Sequence, residues 1–289
     1  MKILVTGSSG VLGSLLANEL EKKGHLVVRV SLKQTNLRNS FTWQDIDSTS
    51  FVKDVDVVCH CAFSRSQTVS DLYQSISLSK KIFNWSISNK VKKLVNISSQ
   101  SVYGDFRNYP SKEKDIINPY DYYGLAKYVC EEFAHSILSN KIDYINIRLA
   151  SLIGPDFKER SIFKIINAAY VQKKIKIYGG EQLYSYLDVR DAVNGLVFAI
   201  ERNEPYIKRT YNLGPNNHYT LAELATKVAK ILNDNRSEVD ISKTQTDAVN
   251  IVKMPLNSDD FFHDFKWHPL YTIEDSIKHI FKGIITKNV

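Results

Sequence analysis

Apolar positions in the first half of the chain recur in a repeating order of strand and helix patterns. "KILVT" at 2–6 is a short apolar, β-branched run of the kind a buried strand shows. "VLGSLLANELEKKG" at 11–24 follows with helical spacing and a stop at Gly24, and "LVVRV" at 26–30 reads as a second strand. The unit repeats through "DVDVVCHCAF" at 54–63, a helical "SDLYQSISLSKKIFNWSISN" at 70–89, "KLVNISS" at 93–99, a helix around Tyr123 and "YINIRLA" at 144–150. Strand, turn, helix, strand in repetition predicts an α/β fold with a Rossmann-type, doubly wound parallel sheet.

Past Gly154-Pro155 the rhythm is less regular. "SIFKIINAAYVQKK", "TLAELATKVAKILN" and "YTIEDSIKHIFKGII" have helical periodicity, while "IKIYG" and "RTYNLG" read as short strands. The expected organisation is a dinucleotide-binding domain over 1–154 that also receives 185–203, with 155–289 mainly a smaller, mixed substrate-binding domain. Packed over the carboxyl ends of the strands, it would create a cleft.

At 289 residues, 43% hydrophobic and 24% charged, the chain has an ordinary globular composition. The net charge of +7 is spread over scattered lysines, without the basic–aromatic interleaving of a nucleic-acid surface, so no nucleic-acid partner is expected. A polyphosphate-bearing small ligand fits the excess equally well. "MKILVTGSSG" is too short an apolar stretch for a leader or a span, so a cytoplasmic protein without a membrane partner is expected. The three cysteines read as reduced thiols. Cys59 and Cys61 flank His60, but strand alternation turns His60 to the opposite face, and no metal site is expected.

Two patterns carry chemistry. In "TGSSGVLG", Gly7, Gly10 and Gly13 stand three apart between a strand and a helix, where glycines let the backbone approach a pyrophosphate that the helix N-terminus favours. In "NPYDYYGLAKYVCEEF", Tyr123 alone among three neighbouring tyrosines stands four before a lysine, Lys127, on one helix face. That spacing is not decisive by itself, since Tyr170 and Lys174 repeat it.

Taken in order, "TGSSGVLG", Asp45-Ile46, "DVVCHCAF", "SSQSVYGD", "YGLAKYVCE", "IRLASLIGP", "YLDVRDAVNGL", "YNLG" and "FKWHP" resemble the extended short-chain dehydrogenases/reductases of the NAD-dependent epimerase/dehydratase type, nearly from end to end. The resemblance implies an enzyme with Ser99, Tyr123 and Lys127 as catalytic residues. It implies cofactor binding by Gly7, Gly10, Val11, Leu12, Gly13, Ser31, Lys33, Asp45, Ile46 and Ala62, together with Tyr123 and Lys127. Ser99, Gln100, Ser151 and Tyr184 are the implied substrate-binding positions, and a homodimer is the implied assembly. Lys127 would favour the Tyr123 phenolate and hold the nicotinamide ribose, and Ser99 would hydrogen-bond the substrate oxygen.

The chain also departs from the family pattern. NAD-preferring members carry an acid where this chain has Ser31, flanked by Arg29 and Lys33, and an acid would repel a 2′-phosphate; the choice between NAD(H) and NADP(H) therefore leans to NADP(H). Gln100-Ser101 replaces the dehydratases' Asp-Glu, which argues against water elimination. Ser151 replaces an asparagine, and Tyr184 replaces an arginine that grips phosphates. Lys158, Arg160, Lys164 and Arg190 could substitute for it but read as surface charges. The expected activity is NAD(P)-dependent oxidoreduction at a ring carbon, C4, of a nucleotide sugar, with a 4-keto reductase preferred. The alternatives are a 4-epimerase with retained NAD, a reductase of a non-sugar carbonyl, and a non-catalytic cofactor-binding regulator.

Overall fold

The computed structural model describes residues 1–32, 36–46, 52–66, 68–104, 109–233, 240–244 and 252–287. Through the first half run β1 (Lys2–Thr6), α1 (Val11–Lys22), β2 (Leu26–Ser31), β3 (Ser40–Thr42), β4 (Val57–His60), α2 (Val69–Ser88), β5 (Lys93–Ser99), α3 (Tyr122–Leu138) and β6 (Asp143–Leu149). The second half contains β7 (Ser151–Ile153), α4 (Ser161–Gln172), β8 (Lys174–Tyr178), β9 (Leu183–Tyr184), β10 (Tyr186–Asp188), α5 (Val189–Glu201), β11 (Thr210–Leu213), β12 (Tyr219–Thr220), α6 (Leu221–Asn233), β13 (Asp240–Thr244), β14 (Lys253–Met254), α7 (Asp259–Phe265) and α8 (Ile273–Lys287).

Seven strands form one parallel sheet in the order β11-β6-β5-β4-β1-β2-β3, the Rossmann-type doubly wound arrangement expected from the repeating strand–helix pattern. Its inner strands are largely apolar because helices cover both faces, with polar residues such as His60, Ser99 and Arg148 toward their carboxyl ends. One face packs Leu16 and Leu20 of α1 with Leu196 and Ile200 of α5. The other packs Ile82 and Phe83 of α2 with Ala134 and Leu138 of α3.

The strand order reverses between β1 and β4, where Thr6 is in register with His60. A crevice at the carboxyl ends of these strands is where such a sheet binds its ligand. A second core joins α4, α6 and α8 through Ile162, Ile166, Leu224, Val228, Ile277 and Ile280. The chain crosses between the cores more than once: β11 completes the sheet beyond residue 203, and Phe261 and Trp267 pack into the sheet-side core. Among the described residues no helix is long and apolar enough to cross a membrane.

Candidate active site

A cleft of about 700 Å³ opens at the β1–β4 crevice, lined by Gly7, Ser9, Gly10, Ser31, Trp43, Ala62 and Phe63 among others. Gly7 has φ +66°, and a Cβ there would lie 2.8 Å from the Ala62 backbone, so the β1 turn and the β4 extension meet only because this residue has no side chain. Gly10 precedes α1 and no side chain caps that helix, which leaves its first amides for an anion. Trp43 is 7% exposed and its Nε1 has no acceptor among the described residues. A polar donor buried against the cleft wall without a partner, beside a cradle that a Cβ would fill, fits a dinucleotide.

The other cofactor positions divide. Ser31 ends β2 and lines the cleft. Asp45 accepts from the Thr42 amide at 3.2 Å and from its hydroxyl, and the Ile46 side chain is wholly buried in the core beneath. Val11 and Leu12 open α1, and Gly13 packs against the Gly7 carbonyl, where a Cβ would be 2.3 Å away. Lys33 lies outside the described residues. Arg29, which precedes Ser31 on β2, has its guanidinium bonded to Glu21 at 2.9 Å and Asn18 at 2.7 Å on α1.

The candidate catalytic groups come from two packed elements. Ser99 ends β5, and its Oγ accepts from the Ser101 amide at 3.2 Å, starting a tight turn over Gln100–Tyr103. Asp121 caps α3 by accepting from the Gly124 amide at 2.7 Å, which fixes the first turn that carries Tyr123. Gly124 lets the two elements touch, since a Cβ there would be 2.4 Å from the Ser101 carbonyl oxygen. Tyr120 and Tyr122 point to water, whereas the Tyr123 ring packs edge-on against Phe63 with centroids 5.8 Å apart. Tyr170, of the competing pair, packs on Phe281 in the second core.

Lys127, one turn on, is buried; its ammonium lies 3.9 Å from the Phe63 centroid and donates to the Ile97 carbonyl at 2.7 Å. His60 is also buried and joins Thr6 at 2.8 Å to Ser79 at 2.9 Å. Burial and the Lys127 charge hold its pKa down to about 3, so it is neutral, and both ring nitrogens are occupied by hydroxyls.

Behind the turn lies a saturated polar cluster. Arg148 of β6 donates to both Glu131 oxygens, to the Tyr103 hydroxyl at 2.8 Å and to the Glu113 carbonyl at 3.2 Å. Ser98 also donates to Glu131, and Tyr103 donates to Asn212 of β11 at 2.8 Å. The residues flanking Ser99 are thereby tied to α3 and to two further strands. Sequence patterns contain Glu131, Tyr103 and Arg148 but give no sign that they meet.

Of the expected substrate positions, Gln100 and Ser151 come together, Gln100 Nε2 donating to Ser151 Oγ at 2.9 Å beside Ser99. Tyr184 instead packs its ring 5.5 Å from that of Tyr186, against the second core. Among the cations that could replace an arginine there, Arg190 is clamped on Asp188 at 2.7 Å and stacked 3.6 Å from the Tyr271 centroid, and Lys164 pairs with Glu159. Lys158 is exposed. Arg160 is not a surface charge: it is half-buried, close enough to Tyr123, Tyr186 and Arg65 to sense them, and burial with the Arg65 charge pulls its pKa down to about 10. Arg65, for which no role was expected, sits with its Cζ 5.5 Å from the Tyr123 centroid.

Fold and cleft together define a dinucleotide-binding α/β protein with a serine turn abutting a Tyr-x-x-x-Lys helix. Residues 3–214 match the model of the NAD dependent epimerase/dehydratase family, and the chain belongs to that family. It is 25% identical to a mouse dTDP-D-glucose 4,6-dehydratase over 314 residues, covering 96% of this chain and 86% of that one. Its fold is shared with a Bacillus cereus UDP-glucuronic acid 4-epimerase solved with UDP-glucuronic acid and NAD (TM-score 0.83, 21% identity, 99% of this chain and 100% of that one). A Thermotoga maritima UDP-glucose 4-epimerase solved with UDP-glucose is similar (TM-score 0.83, 22% identity, 100% of both chains).

Proposed function

We propose that the chain is a nucleotide-sugar 4-epimerase working with NAD(H) in the β1–β4 cleft. The observation that carries the reading is the packing of the Ser99 turn on the Tyr123–Lys127 helix through Gly124, with Gln100 and Ser101 in the two places after Ser99. Tyr123 would take the proton of the sugar 4-hydroxyl and return it, while Ser99 holds the same oxygen. Lys127, buried one turn on, would hold the nicotinamide ribose. The bound nicotinamide supplies a hydride acceptor and donor at the adjacent carbon.

Water elimination needs an acid and a base beyond the tyrosine. Gln100 is an amide committed to Ser151, and Ser101 is a hydroxyl, so neither can serve. The preference for a 4-keto reductase rested partly on Ser31 standing where NAD-preferring members carry an acid, and solved neighbours that hold NAD lend that preference no support. NAD in the B. cereus structure favours the same cofactor here. A homodimer through α2 and α3 belongs to this reading, and exposed Val69 and Tyr73 on α2 suit such a contact.

The test is to identify the nucleotide released on denaturing the purified protein, then follow UDP-glucose and UDP-glucuronate by NMR. Retained NAD and accumulation of a C4 epimer are expected, with turnover in Tyr123→Phe reduced by about a thousandfold. A 4-keto-6-deoxy product, or stoichiometric consumption of NADPH by a 4-keto sugar nucleotide, would replace this reading with a dehydratase or a reductase.

A further inference from the structure

Resting on that reading, we propose that Arg65 and Arg160 form a carboxylate subsite beside Tyr123, so that the preferred sugar is a uronate rather than a neutral hexose. Arg65 reaches the Tyr123 ring from the β4 side of the cleft, and Arg160 approaches from the start of α4. Neither has a carboxylate partner among the described residues, whereas Arg29, Arg148 and Arg190 each clamp one. Arg160 is half-buried and Arg65 exposed; burial first, and then the cost of the like charge on Arg65, lower the Arg160 pKa. An anion between them would remove that cost and accept from two planar forks.

The place of the pair indicates which anion. Tyr123 must reach the 4-oxygen of the sugar. In a pyranose, C5, which bears the carboxylate of a uronate, is bonded to C4, while C1, which bears the diphosphate, lies across the ring. Cations that share the surroundings of the tyrosine therefore meet the C5 substituent first. The carboxylate would also give the sugar a charged anchor next to the reacting carbon, where orientation matters most.

The experiment compares kcat/KM for UDP-glucuronate and UDP-glucose in the wild type, Arg65→Met, Arg160→Met and Arg160→Lys, with calorimetric binding of free UDP as a third arm. The wild type should prefer UDP-glucuronate, and each methionine variant should lose about 10- to 100-fold on it and less than about threefold on UDP-glucose, with UDP affinity unchanged. Arg160→Lys, which keeps the charge and loses the fork, should fall between and serves if a methionine variant does not fold. Equal losses on both sugars and on UDP would assign the arginines to the diphosphate and overturn the carboxylate subsite. An unmoved sugar ratio in an active enzyme overturns the subsite alone. Failure of the wild type to turn over either sugar overturns the epimerase reading, and the subsite with it.

Discussion

Arg148 and Arg160 are the same side chain in two opposite situations. Arg148, buried between β6 and α3, has both oxygens of Glu131, the Tyr103 hydroxyl and a backbone carbonyl around it, and these partners push its pKa up despite burial. Arg160, half-buried at the start of α4, has no carboxylate partner among the described residues, and burial first and the charge of Arg65 second pull its pKa down. A buried cation whose donors are all used holds elements together. One left half-buried beside a candidate catalytic tyrosine, without a counter-charge among the described residues, is poised for something that arrives from solution. The sheet-side cluster therefore belongs to architecture, and the cleft-side pair to recognition.

The sharpest way to break this distinction is Glu131→Gln. If the cluster is architectural, leaving Arg148 buried without its carboxylate should cost about 3–5 kcal/mol. Urea unfolding would register the loss as a lower midpoint, and the double variant with Arg148→Met should recover part of it by removing the stranded charge. A midpoint within experimental error of the wild type for Glu131→Gln would remove the architectural role.

Gly124→Ala probes the join between the two halves of the candidate site. The added methyl meets a backbone oxygen at 2.4 Å, so α3 or the Ser99 turn must move. Overpacking of this kind costs about 1–3 kcal/mol. A displacement near 1 Å between catalytic groups costs about 100-fold in rate. Activity should therefore fall far more than stability. Full activity with the same loss of stability would show that the turn and the helix need not be in register.

These features differ in how visible they are along the chain. The parallel sheet was legible because short, largely apolar runs alternate repeatedly with helical patterns, and the turn at Gly7 because a strand-to-helix turn admits few alternatives. Tyr123 stood out as a candidate only jointly, through its spacing to Lys127 and the serine turn ahead of it, and the fold packs that turn on its helix. Arg160 was read as a solvated charge because arginine usually is one, and nothing local records that α4 begins beside a tyrosine 37 positions earlier in the chain. Arg29 shows the same limit: alternation puts it on the same face of β2 as Ser31, yet it lies two residues short of the strand end and its guanidinium is taken up by Glu21 and Asn18 on α1. Charges in the interior are placed by tertiary contacts, which a one-dimensional pattern does not contain.

His60 offers the smallest test, because it is a neutral group on the sheet side whose cost appears only when it is charged. Ser79 donates to the Ser75 carbonyl at 2.9 Å and so accepts from His60 Nε2, while Thr6, which accepts from the Ala62 amide at 3.1 Å, donates to Nδ1. Adding a proton would put a second cation near Lys127 in the same buried space. The folded pKa, about 3, lies below the unfolded value of 6.5, so the unfolded chain binds the proton first as pH falls. The contribution is constant above pH 6.5 and is lost progressively from there toward pH 3, amounting to about 1 kcal/mol between pH 6.5 and 5.5. His60→Gln keeps a donor and an acceptor without a titrating group, so its urea midpoint should fall less than the wild type's over that interval. Parallel pH dependences in the two proteins would mean that His60 takes up its proton as readily in the folded state as in the unfolded chain, and that the buried space it shares with Lys127 accepts a second positive charge.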